Sequence, residues 1–210
     1  MSPIGLRGEL LAVIASLAVV SACTSGPPPP PDTRPYESQI QSFRAEKDAA
    51  FKSSADSPIP AAARASFAGL VYFPVDPQYR VPAFLTEVQS NPPVIFDIQM
   101  STNATEKMRK VGTLGFTLNG AALTLTAFAE ASTTDMKRLF VPFTDLTSGA
   151  ETYKHGRYLD LDRTPTGLYD LDFNKAYHPS CVYNPQYECP VPPKENHLAV
   201  AIRAGERMKS

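Results

Sequence analysis

With 210 residues, 43% of them hydrophobic and 20% charged, the chain is long enough for one globular domain with its own core and too short for several. Twenty Lys and Arg against 21 Asp and Glu leave a net charge of −1, which removes the basic field that nucleic-acid binding needs and excludes that class of partner. Prolines number 21 against 11 glycines, so the chain is neither collagen-like nor a Gly/Ser linker, and the prolines must be explained by position.

Residues 1–22 carry Arg7, an apolar run from Leu10 to Val20 and small residues at the end, the layout of a secretory signal peptide. The apolar run is too short to span a bilayer as a helix. Val20-Ser21-Ala22-Cys23 resembles the lipobox of bacterial lipoproteins, and that resemblance implies cleavage before Cys23 and diacylglyceryl attachment to its thiol. The expected membrane partner is reached through lipidated Cys23. Thr24, where an aspartate would mark retention, favours the outer over the inner membrane if the cell has both. Residues 23–35 form the spacer, because Pro27 to Pro31 adopt polyproline II at about 3.1 Å per residue.

Residues 36–210 are expected to be a single β-rich domain. Tyr36, Ile40, Phe43, Ala50 and Phe51 recur at helical spacing, which predicts one N-terminal amphipathic helix ending by Ser53 and Ser54, with Asp32 or Thr33 as cap and Pro35 in its first turn. From Phe67 onward the period changes. Runs such as FAGLVYF, YRVPAFL, PVIFDIQM, VGTLGFTL, ALTLTAFA, RLFVPF, GRYLDL, LYDLDF and HLAVAI alternate with turn residues. They predict a mainly β fold, an antiparallel barrel or sandwich of about eight strands. Asn119-Gly120 between two such runs predicts a two-residue hairpin turn.

The stretch from Phe143 to Glu206 is dense in polar and turn-forming residues. It carries Phe143-x-Asp145, Gly156-Arg157-Tyr158-Leu159, Asp172-Phe173-Asn174-x-Ala176-Tyr177-x-Pro179-x-Cys181, Cys189-Pro190-x-Pro192-Pro193-x-Glu195-Asn196 and Ile202-Arg203-Ala204-Gly205-Glu206. On these motifs the chain resembles the prokaryotic family catalogued as domain of unknown function 1684. The resemblance implies no activity and no cofactor.

With Cys23 lipidated, Cys181 and Cys189 are left as a pair in an oxidising compartment, which predicts a disulfide. Closing that loop would add about 2.5 kcal/mol on the loop-entropy account. Two packed thiols, or a metal site with His178 or His197, compete with it; the spacing matches no standard zinc motif, so no metal is assigned.

Glu151, Tyr153, Arg157, Asp172 and Asn174 are the candidate ligand-binding residues, expected to line one pocket mouth on loops of a β scaffold, with Tyr153, Tyr158 or Tyr177 stacking on a ring. The favoured function is an envelope lipoprotein binding a small molecule or an envelope partner. A hydrolase using Asp145 or Glu151 with Asp172 as acid and base is the alternative, and a purely structural lipoprotein is a third. The competing structural reading has Asp145 and Asp172 accepting backbone N–H groups, Arg157 paired with one of them, and Asn174 and Asn196 tying loops. Neither a G-x-S-x-G elbow nor an H-E-x-x-H, P-loop or G-x-G-x-x-G motif occurs, which disfavours serine-hydrolase, zincin and nucleotide-binding chemistry.

Overall fold

The computed structural model of the protein describes residues 32–133 and 136–209. The signal segment, Cys23 and the run Pro27 to Pro31 lie outside these residues. Helix α1 spans Tyr36–Ser53, as its spacing predicts, but without the expected side-chain cap: Pro35 occupies the cap position and its carbonyl accepts from the Gln39 N–H. Only Ile40 of the helix is buried. Tyr36, Arg44, Lys47 and Asp48 share one helical stripe with it and meet the rest of the domain through polar groups. Arg44 donates to the Phe73 carbonyl at 3.0 Å and Asp48 accepts from the Leu70 N–H at 3.1 Å. Docking of α1 therefore combines polar anchors around Ile40 with the Phe51 ring, which packs edge-on against Tyr183 at 5.2 Å and beside Phe67. Among the described residues no helix is long and apolar enough to cross a membrane.

Eight strands follow: β1 (Arg80–Glu87), β2 (Ile95–Gln99), β3 (Thr105–Leu118), β4 (Ala121–Glu130), β5 (Arg138–Asp145), β6 (Arg157–Asp162), β7 (Leu168–Asp172) and the short β8 (His197–Leu198). They pair in the order β6-β5-β4-β3-β1-β7, with β2 added on β3 and β8 on β5, and curl into a nearly closed antiparallel barrel; β8 alone runs parallel to its partner. The barrel form resolves the choice between barrel and sandwich.

The period-2 alternation sets the inside. Val81, Ala83 and Leu85 of β1 face inward with Leu114, Phe116 and Leu118 of β3, and Leu139, Val141 and Phe143 of β5 join them. Fully burying each such Leu, Val or Phe is worth about 1.5–3 kcal/mol. In β4 the buried run from Leu125 to Ala129 covers both faces. The outward Phe128 packs with Ile98, Met100 and Met108, so β2 and the turn after it roof the outer face there. Asn119 and Gly120 connect β3 to β4 with φ of 50° and 80°, the two positive values that a type I′ turn requires.

Two expected strands are not built. FAGLVYF is extended coil with a single bridge, Tyr72 to Glu206, and HLAVAI shrinks to the two residues of β8. Beyond these short pairings only scattered backbone bonds form, and side chains take other groups: Asp48 accepts from the Leu70 N–H and Asp145 from the Ile202 N–H.

Candidate functional site

The motif residues are placed by the barrel end where β5, β6 and the C-terminal segment meet. Arg157 opens β6 pointing inward and is 0% exposed. Gly156 before it has φ 84°, and a Cβ there would stand 2.2 Å from the Phe143 carbonyl, so only glycine admits the approach that buries the arginine. The guanidinium donates through Nη2 to Asp145 Oδ2 at 3.0 Å and to the Ile202 carbonyl at 2.7 Å. Through Nη1 it donates to the carbonyls of Glu206, at 3.1 Å, and Ala204. Burial lowers the Arg157 pKa and the neighbouring Asp145 opposes that shift. The other Asp145 oxygen accepts from the Thr147 N–H at 2.8 Å, the Thr147 hydroxyl at 2.7 Å and the Ile202 N–H at 3.2 Å. The pair thus fastens residues 202–206, which have no strand ladder, to the barrel.

Asp172 and Asn174 form a second knot. Asp172 caps the 3₁₀ turn Phe173–Lys175 by accepting from the Asn174 N–H, and also accepts from the Tyr36 hydroxyl at 2.8 Å. The Asn174 amide accepts from the Asp76 N–H at 3.0 Å and donates to the Asp76 carbonyl at 2.8 Å and the Tyr36 hydroxyl at 2.9 Å. Glu151 accepts from Arg203 at 2.9 and 3.1 Å on the surface. Tyr153 lies edge-on to His155, and its hydroxyl pKa is pushed up to about 12, chiefly by burial.

These positions correct the expected site. Arg157, Asp172 and Asn174 are buried and held by groups of the protein itself, with the Arg157 Nε–H left without an acceptor, and Glu151 is paired on the surface, so the five candidates do not converge on one pocket mouth. The same burial removes the footing of the paired-carboxylate hydrolase, because Asp145 and Asp172 are 2% and 5% exposed and accept from backbone and hydroxyl donors. Cys181 and Cys189 are corrected as well: both are free thiols. The Cys181 N–H donates to Cys189 Sγ at 3.1 Å, and burial pushes the Cys189 thiol up to about 12. Their loop is held without a bridge, since Ser101 exchanges hydrogen bonds with the Cys189 backbone and the Tyr158 hydroxyl donates to the Pro190 carbonyl. Among the described residues no group of three or more His, Cys, Asp or Glu is placed to hold a metal ion.

Behind this loop, His178 is 3% exposed and its Nε2 accepts from the Tyr153 N–H at 3.3 Å. Burial lowers its pKa to about 3, helped by the charges of Arg157 and Lys47. Glu206 lies 3.6 Å from Nδ1, but that carboxylate already pairs with Lys47 at 2.6 Å. Unfolded histidine takes up its proton near its ordinary pKa of 6.5, before the folded one does. Stability contributed by neutral His178 is therefore complete above that pH and is lost as pH falls toward 3, by about 1.4 kcal/mol per unit. Between about pH 7 and about pH 4.5 the unfolding free energy from urea curves should fall further in the native sequence than in His178→Gln, by roughly 2–3 kcal/mol. Equal slopes would contradict this role.

A concave site lies elsewhere among the described residues, on the outer face of the barrel. Inward Arg157, Leu159 and Leu161 leave Tyr158 and Asp160 of β6 facing out. Tyr177 pairs by its backbone with Tyr158, and the proline-rich loop that follows arches over β5 and β6. The open cleft beneath it has a volume of about 620 Å³. Phe140, Tyr158, Asp160, Tyr177, Cys189 and Pro190 line it. The rings form a chain of edge contacts, Phe140 to Tyr158 at 4.8 Å and Tyr158 to Tyr177 at 5.7 Å between centroids. The Tyr177 hydroxyl donates to Asp160 Oδ2 at 2.9 Å. Asp160 is open to the cleft, yet the surrounding protein raises its pKa, desolvation outweighing the Tyr177 hydrogen bond and Arg138. In the sequence Asp160 reads as an ordinary outward strand residue. Tyr158 and Tyr177 stand out there, and only the backbone pairing of Tyr177 with β6 brings them together.

No functionally curated protein matches the chain. A solved structure does: the solution NMR structure of an uncharacterized protein from Haloarcula marismortui is 41% identical, covers 82% of this chain and 94% of that one, and superposes with a TM-score of 0.64. The model of the family described as protein of unknown function (DUF1684) matches residues 65–207, a span that takes in every strand from β1 to β8 and all the motifs above. The chain belongs to that family.

Proposed function

We propose that the protein is an exported, lipid-anchored domain that binds a small ligand in the cleft over β5 and β6. The observation that carries the reading is the cleft itself: an aromatic chain, Phe140, Tyr158 and Tyr177, beside the Asp160 carboxylate, under a loop stiffened by prolines. Small-molecule sites have this make-up, concave and largely apolar with few orienting polar groups. Anchoring is supported by Val20-Ser21-Ala22-Cys23 and by the proline spacer after it. The buried knots at Arg157 and Asn174 support the site indirectly, by holding the barrel rigid around it.

Two measurements test the reading. Cys23→Ser should move the protein from the membrane fraction to the soluble fraction and remove the lipid mass; membrane association unchanged by Cys23→Ser would contradict the anchor. Against envelope metabolites, the mature protein in mild detergent should show a saturable rise in Tm, which at about 100 times Kd amounts to about 2.7 kcal/mol of added stability. Stabilisation preserved in Tyr158→Leu would place the ligand outside the cleft and contradict the site.

A further inference from the structure

We propose that the cleft takes an organic cation, an amine or quaternary ammonium compound; this rests on the reading of the cleft as the ligand site. Four carboxylates line it, Glu106, Glu130, Asp160 and Glu188, against two cations, Lys137 and Arg138. Arg138 is answered by Asp162, whose Oδ1 lies 3.8 Å from its Nε, and Asp162 is itself outside the lining. The field inside the cleft is therefore negative, which attracts cations and repels anions.

The carboxylates are carried by different elements. Glu106 and Met108 alternate along one face of β3, and Glu130 of β4 stands opposite Met108 in the register. Asp160 comes from β6 and Glu188 from the proline-rich loop, where the Thr102 hydroxyl fixes it at 2.9 Å. Between them lie the rings of Phe140, Tyr158 and Tyr177, with Tyr187 40% exposed at the rim. Aromatic faces next to a carboxylate in a partly desolvated cleft are the arrangement that recognises ammonium groups. The protein already uses this property at one of these rings. Lys47 Nζ sits 4.3 Å from the centre of the Tyr177 ring, and Lys47 does not line the cleft. The raised pKa of Asp160 has the same physical origin, a carboxylate short of water.

Putrescine and choline are suitable cationic probes, with succinate as the anionic counterpart, titrated calorimetrically into the mature protein in mild detergent. A cationic probe should bind saturably at one site. Asp160→Asn should weaken that binding at least about tenfold without lowering Tm, while Tyr177→Phe, which keeps the ring and loses the hydroxyl, should weaken it less. Binding of a cationic probe that survives Asp160→Asn and Tyr158→Leu would overturn the proposal as non-specific charge attraction. If succinate alone binds and Tyr158→Leu abolishes that binding, the cation assignment fails and the cleft stands. If no probe of either charge binds, the proposal fails, and the metabolite screen then decides whether the cleft itself does.

Discussion

Arg157→Met is expected to cost about 3–5 kcal/mol, because it leaves the buried Asp145 side chain without its ion-pair partner and strips donors from three carbonyls. For a domain of this size that is a drop in Tm of about 8–16 °C. Arg157→Lys should recover part of the loss, since an ammonium keeps the charge but cannot reach Asp145 and the carbonyls of Ile202, Ala204 and Glu206 together. The double variant Asp145→Leu with Arg157→Met separates the two contributions. An ion pair replaced by apolar residues is often close to neutral, but here the carbonyls of residues 202–206 stay unsatisfied at about 1–3 kcal/mol each. Urea unfolding of the four proteins checks it. A double variant as stable as the native sequence would mean that the carbonyl contacts contribute nothing.

Asn196→Ala should cost about 3 kcal/mol, for a reason specific to this barrel. Strands β4 and β5 share one registered pair, Phe128 with Phe140. Asn196, 0% exposed, fills the place of the missing ladder. Its Oδ1 accepts from the Thr126 N–H at 2.7 Å, and its Nδ2 donates to the carbonyls of Thr126, at 2.9 Å, and Pro142, at 2.6 Å. The side-chain amide thus acts as one more backbone peptide between the two strands. Removing it orphans three buried groups, each worth about 1 kcal/mol or more. Asn196→Asp keeps the shape but deletes both donors and buries a charge, so it should be worse. Hydrogen exchange at the Thr126 amide is the sharpest readout: protection should collapse in Asn196→Ala, and unchanged protection would contradict the bridging role.

How much of this could be read from the sequence follows from the range over which each signal acts. The helix, the Asn119-Gly120 hairpin and the strands from β1 to β7 depend on local periodicity and turn chemistry, and the sequence carries both. FAGLVYF has the composition of a strand, but its partner is the irregular segment at residues 204–207, so one bridge forms and the remaining groups bond elsewhere. The motif block was legible as special, whereas its purpose was not. Asp145 in a turn and a catalytic aspartate are written with the same letter, and only the 0% exposure of Arg157 beside it decides between them. The cleft escaped notice because its parts come from β3, β4, β5, β6 and the proline-rich loop, which the barrel topology alone brings together. The expected disulfide followed from cysteine number and compartment, yet the loop that carries the thiols is already fixed by Ser101 and Tyr158.

The central claim is a division of labour, in which the buried motif residues hold the barrel and the outer cleft meets the ligand. Backbone amide shifts of the ¹⁵N-labelled protein, followed while a compound that raises its Tm is titrated in, test that division most directly. The shifts should concentrate at Arg138 to Phe140, Tyr158 to Asp160, Tyr177 and Tyr187 to Cys189, with Asp145, Asp172 and Asn174 unmoved. Shifts confined to Asp145, Glu151, Tyr153 and Asn174, with the cleft silent, would contradict it.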